Sequence, residues 1–254
     1  GLPLLPASLL MWLFNGTATM SLRYWSSFEA LGLYAAAFKI IVALNIFNVA
    51  FSTFWVPTAY RWYQEGVDIK KYEKVGNILC ITMTFIGFIV IITRNYVVLL
   101  LSPSYRAAAD VMPFLVFIPV MYAISEVTVV GINFSKKTVY HIAITALSLT
   151  TNLFFNFLLV PRIGAKGAAI SMGISYIVFF WSRTFFSRKL WKYFSVLKYS
   201  INILLLIAFT FSIYINVLSS ITQVIIFIIW YLVNRRHIKY MGINLFHFIM
   251  QYRL

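Results

Sequence analysis

Long apolar stretches alternate with short runs rich in lysine and arginine along the whole chain. A helix needs about 20 mostly apolar residues to cross a hydrocarbon core. On that measure the pattern predicts helices over residues 4–22, 32–57, 75–93, 108–131, 139–160, 167–187, 198–217 and 219–234. Only a turn around Ser219, Ser220 and Thr222 parts the last two, which read equally as one broken hairpin or as slightly shifted spans. From Asn234 to Leu254, Arg235, Arg236 and Lys239 mix with Phe246, Phe248 and Tyr252, a pattern for a short interfacial helix or tail. The expected fold is all-α, a polytopic transmembrane bundle of about eight spans.

Composition strengthens that reading. Hydrophobic residues make up 62% of the chain and charged residues 11%, where a soluble domain carries about 25% charged residues. The chain cannot clothe itself in polar groups, so its solvent is expected to be largely lipid. A net charge of +15 would suggest nucleic acid in a soluble protein. Here the cations cluster between apolar spans, as topology signals and anionic-lipid contacts do, so membrane lipids rather than nucleic acid are the expected partners.

Those cations also orient the chain. One set of loops carries Arg61, Lys70, Lys71 and Lys74, then Lys136 and Lys137, then Arg188, Lys189, Lys192 and Lys198, and the tail adds Arg235, Arg236 and Lys239. The alternate loops carry Arg23, then Arg94 and Arg106, then Arg162 and Lys166. Thirteen stand against five. The positive-inside rule puts the richer side, and both ends, in the cytoplasm. The chain opens at Gly1 directly into an apolar span, without an initiator methionine or a signal-peptide pattern. The expectation is a fragment that lacks its N-terminal part.

Cys80 is the only cysteine, and His141, His237 and His247 have no second ligand at metal spacing. No phosphate loop, dinucleotide fingerprint or nucleophile–base motif occurs. No metal, cofactor or enzymatic activity is expected.

Three stretches carry a family likeness. Gly32-Leu33-Tyr34-Ala35-Ala36-Ala37-Phe38-Lys39-Ile40 is followed by Phe54-Trp55-Val56-Pro57. Leu101-Ser102-Pro103-Ser104-Tyr105-Arg106-Ala107-Ala108 runs into Val111-Met112-Pro113. Asn152-Leu153-Phe154-Phe155-Asn156 precedes Val160-Pro161-Arg162-Ile163-Gly164-Ala165-Lys166-Gly167-Ala168-Ala169. Together they resemble the C-terminal half of a Wzx-type polysaccharide (O-antigen) flippase, of the multidrug/oligosaccharidyl-lipid/polysaccharide exporter (MATE-like) superfamily. The resemblance covers residues 1–190 and implies a six-helix C-terminal lobe there; hydropathy alone adds two transmembrane helices over 191–234 and a basic cytoplasmic tail over 235–254. It implies export of undecaprenyl-diphosphate-linked oligosaccharides across a bacterial inner membrane, with a missing N-terminal lobe, polysaccharide polymerase and glycosyltransferases as partners. A lipid II or drug/cation exporter of the same superfamily is the nearest alternative. An integral-membrane polymerase ranks below, since it should show a large outer loop or an interfacial His/Asp pair, and neither occurs. A purely structural membrane subunit is the third reading.

Candidate site residues follow from where polar groups fall inside apolar spans. Ser8, Trp12, Asn15, Thr19 and Arg23 lie on one helix face, as a cavity wall offering groups to sugars or as helix–helix contacts with Arg23 snorkelling. Asn45, Asn48 and Ser52 share a face of the second span. Lys39 lies well off that face; the resemblance favours its pairing with substrate phosphate over snorkelling. Glu126, deep in the fourth span, is a proton- or cation-coupling candidate or the partner of a buried cation. Arg183 is expected to snorkel, and Arg106 and Asp110 to form a local i,i+4 pair. Asn152 and Asn156 suit an interhelical hydrogen bond, and Pro161, Gly164 and Gly167 a tight turn. The family's Asp–basic pair after the first-span Asn motif is here Ala18-Thr19, so no role resting on that pair carries over.

Overall fold

In hydrocarbon every backbone polar group has to be satisfied within its own segment, which leaves a chain this apolar the helix as its main solution. The computed structural model describes residues 5–192, 195–214 and 219–251, with side chains at 8–192, 195–214 and 220–239. Among the described residues the structure is all-helical, without strands.

Helix α1 spans Leu5–Trp25, α2 Phe28–Val42 and α3 Asn45–Gln64. The Ser27 hydroxyl caps α2 by accepting from the Ala30 amide at 3.1 Å, and Glu29 sits in its first turn, at the positive end of the helix dipole. The single helix expected over 32–57 is therefore two. At Ala43–Leu44 the Leu44 amide donates to the Ile41 carbonyl at 3.0 Å and the Phe47 amide to Leu44 at 3.1 Å. These i,i+3 bonds tighten the chain for one turn and offset α3 from α2. No proline or glycine marks the place. Helix α4, Ile69–Val97, starts on Asp68, whose carboxylate accepts from the Lys70 amide at 3.0 Å; the cap draws the lysine-rich turn into the helix, six residues before the expected start.

The span expected over 108–131 is also broken. A 3₁₀ segment, Pro103–Asp110, turns by 55° into α5 (Met112–Leu115) and α6 (Phe117–Thr128), and α7 (Val130–Phe134) follows. Pro113 and Pro119 lack the amide hydrogen that a continuous helix would use there. Helix α5 is buried throughout, and in α6 Val120, Met121 and Ile124 are wholly buried.

The segment α8, Val139–Leu190, is a helical hairpin of two arms, 139–162 and 165–190. Ile163 leaves helical geometry and Gly164 takes a φ of 52°, which glycine adopts without strain. A straight helix would part residues 152 and 172 by about 30 Å, but Asn152 Nδ2 lies 3.7 Å from Met172 Sδ. The expected turn is present, with the reversal two residues past Pro161. Asn156 donates to Asn152 at 2.7 Å along the outgoing arm, and Asn152 reaches the return arm.

Helices α9 (Leu197–Ser212) and α10 (Ser219–Gln251) lie behind α4. They are joined by a reciprocal amide pair: Asn234 donates to Asn202 at 2.9 Å and Asn202 to Asn234 at 3.4 Å. Asn202→Ala should cost about 1 kcal/mol in detergent unfolding, and an unchanged midpoint would refute the pair's role. Helix α10 runs through Asn234 to Gln251 without a break, so the separate interfacial helix expected for the tail is a continuation of α10. Phe246, Phe248 and Tyr252 lie outside the described side chains.

The elements stack in the order α1, α8, α6, α4, α9 and α10, with α2 crossing α8 and α3 lying on α6 and α7. At the cation-rich end Trp55, Trp62, Tyr72, Phe134 and Trp191 form one aromatic cluster that ties α3 to α4, α7 and the end of α8. Three helical units are long and apolar enough to cross a membrane: Phe28–Gln64, Ile69–Leu100 and Val139–Leu190. Counting the bent pair as one span makes four.

Candidate functional site

The break between α2 and α3 opens a cavity. Phe38 and Val42 end α2, and Asn45, Asn48, Val49, Ser52 and Thr53 follow on α3, all facing the same space. Met11 and Asn15 of α1, Ile118 and Tyr122 of α6, and Tyr176 of the α8 return arm complete a wall around about 600 Å³. The i, i+3, i+7 spacing of Asn45, Asn48 and Ser52 puts one turn after another of α3 on this wall.

The polar groups of the wall are tied to their neighbours. Tyr176 donates its hydroxyl to Asn15 Oδ1 at 3.1 Å, joining the return arm to α1. Asn48 Nδ2 donates to Asn45 Oδ1 at 3.2 Å and to the Pro119 carbonyl at 3.3 Å, fixing α3 on α6. Asn48 Oδ1 is buried without a partner. Two tyrosine rings and Phe38 supply flat apolar surface beside these amides. The wall is suited to a ligand that presents hydroxyls at its rim and C–H faces to the rings.

One helical turn from Tyr122, Glu126 meets Arg183 of the return arm at 2.9 Å, with 11% and 9% of the two side chains exposed. The same guanidinium donates to Ser125 Oγ at 2.6 Å and packs 5.6 Å from the Tyr122 ring and 5.0 Å from the Phe179 ring. Beside this pair Thr184 donates to Thr128 at 2.8 Å. The snorkelling expected of Arg183 is thus replaced by burial, because a carboxylate and two ring faces stand within reach inside the bundle. Glu126 takes the second of its two expected places, as the partner of a buried cation.

The remaining candidates divide. Asn15, Asn45 and Asn48 come together at the cavity. Thr19 and Arg23 continue the polar face of α1, which stays exposed while Phe14, Ala18 and Leu22 on its other side are wholly buried. Lys39 does not share the cavity; it opens on a separate groove with Gly32, Ala35, Ala36, Leu101 and Tyr105. Asp110 pairs with Lys166 of the α8 turn at 2.9 Å in place of the expected Arg106, since the 3₁₀ winding of 103–110 removes the i,i+4 register.

Tyr122, Tyr176 and Phe38 were not among the expected site residues. Tyr122 carried a signal, lying four residues before Glu126 on one helix face. Tyr176 carried none, since its part depends on the α8 reversal. Among the described residues no cluster of His, Cys, Asp and Glu could hold a metal ion. No family model matches the chain, and no curated protein or solved structure matches it.

Proposed function

We propose that this chain is one lobe of a transporter that moves a lipid-linked oligosaccharide across a bacterial inner membrane, as the resemblance to Wzx-type flippases implies. The observation that carries the reading is the open cavity of Asn15, Asn45, Asn48, Ser52, Tyr122 and Tyr176, lined by elements far apart in sequence. In this reading α1, the α2–α3 unit, α4, the bent unit over 103–134, the two arms of α8, α9 and α10 make eight spans. Both ends then lie on the cation-rich, cytoplasmic side.

The exposed polar face of α1 supports a second lobe. Arg23, in the last turn of α1, shares its exposed face with Asn15 and Thr19, and polar groups within a span usually face a bundle interior or a water-filled cavity. That face is better placed on a wet lumen shared with another lobe, with the sugar inside and the polyprenyl tail left in lipid. Rocking of two such lobes about a site near the midplane is how alternating access works in repeat-built transporters. No step of this work makes or breaks a covalent bond, so the chain acts here without catalysis.

Asn15→Ala combined with Asn45→Ala, placed in the gene in its native cells, should lower surface polysaccharide about tenfold through the loss of two hydrogen-bonding groups. Membrane abundance of the protein should stay unchanged. Normal polysaccharide levels in such cells would overturn the proposal.

A further inference from the structure

We infer that the cavity takes an uncharged sugar and discriminates against acidic ones. The inference rests on reading the cavity as the transport site and names the substrate class it admits.

Every residue lining the space is neutral. Asn15, Asn45, Asn48, Ser52 and Thr53 offer amides and hydroxyls, Tyr122 and Tyr176 offer hydroxyls and rings, and Met11, Phe38, Val42, Val49 and Ile118 are apolar. A carboxylate moved from water against such a wall loses hydration and meets no cation on the wall itself, since Arg23 lies two helical turns beyond Asn15 along α1, and that desolvation is far costlier than for a hydroxyl. The chain carries 21 Lys and Arg, so the neutrality is not for want of cations. It comes from where they are held. Arg183 lies behind Tyr122, and its charge is already spent on Glu126 at 2.9 Å. Lys39 opens on the groove with Leu101 and Tyr105, on another face of α2 from Phe38 and Val42.

What remains matches a neutral sugar. Side-chain amides both donate and accept, as sugar hydroxyls do, and the ring faces of Tyr122, Tyr176 and Phe38 suit the C–H faces of a pyranose. Arg183 and Glu126 act as positioning residues: the guanidinium against the Tyr122 ring holds that ring at the wall without presenting charge to the ligand.

The test uses the chain in lipid nanodiscs, with maltotetraose as the neutral probe and tetragalacturonic acid as the acidic one, read by saturation-transfer NMR. Maltotetraose should bind about tenfold more tightly than tetragalacturonic acid, and Asn45→Leu should abolish its signal. Ser52→Lys, which sets a cation on the rim, should raise the affinity for tetragalacturonic acid about tenfold. The inference is overturned if the acidic probe binds as well as the neutral one, if neither binds, if maltotetraose binding survives Asn45→Leu, or if Ser52→Lys leaves the preference unmoved. Neutral preference together with normal polysaccharide in the Asn15→Ala/Asn45→Ala cells would overturn the transport reading and leave this inference standing.

Discussion

Arg183→Met is expected to destabilise the protein by about 3–5 kcal/mol, the scale on which losing one partner of a buried ion pair is felt. The variant leaves the Glu126 carboxylate 11% exposed and facing a methionine, with no other cation within salt-bridge distance among the described residues. Glu126→Leu should cost a similar amount, because Arg183 then keeps only Ser125 and two ring faces. The double variant Arg183→Met/Glu126→Leu should recover most of the loss, since a packed apolar pair removes both desolvation penalties at once. Unfolding midpoints in mixed micelles measure all three. Single variants within about 0.5 kcal/mol of the parent would mean that the pair is not buried as described.

Gly167→Val is expected to open the α8 hairpin. A Cβ at Gly167 would lie 2.6 Å from both the carbonyl carbon and the carbonyl oxygen of Leu159, and backbone atoms have no rotamer by which to move aside. Overpacking of this kind costs about 1–3 kcal/mol for one or two added carbons, and the branched valine belongs at the upper end. The readout is a disulfide between cysteines placed at Asn152 and Met172, in a chain with Cys80→Ser. It should form readily with Gly167 and fail with valine. Full cross-linking in the valine variant would show that the arms tolerate the larger separation.

The hairpin was legible from sequence because its signals are local. Pro161, Gly164 and Gly167 fall within seven residues of one another, and each limits the backbone on its own. The polar faces of α1 and α3 were legible for the same reason, being set by helical spacing alone. That three of their asparagines meet at one cavity was anticipated only as a possible role, and Thr19, Arg23 and Lys39 show where the argument stops. Periodicity says which residues share a face and does not say what that face meets. The α2–α3 break left no trace, as Ile41 to Asn45 holds neither proline nor glycine. It arises from packing, with the hydrogen bonds of Asn48 holding α3 to the carbonyl of Pro119. The Arg183–Glu126 pair could be suspected from the cost of a lone intramembrane carboxylate. Its identity needed the return of α8 alongside α6.

The 57 residues that separate Glu126 from Arg183 along the chain are also an interval of time. At roughly 5–20 residues per second of synthesis, the carboxylate leaves the ribosome about 3–11 seconds before its guanidinium exists. During that wait the α6 segment carries an acidic group with no cation to meet it, and a lone charge at the centre of a span weakens insertion by about 2.5–3.5 kcal/mol. In a membrane that cost stands until the second arm of α8 emerges to lie beside α6. The contact between α6 and the return arm closes only when the residue that neutralises it arrives, with α9 and α10 still to follow.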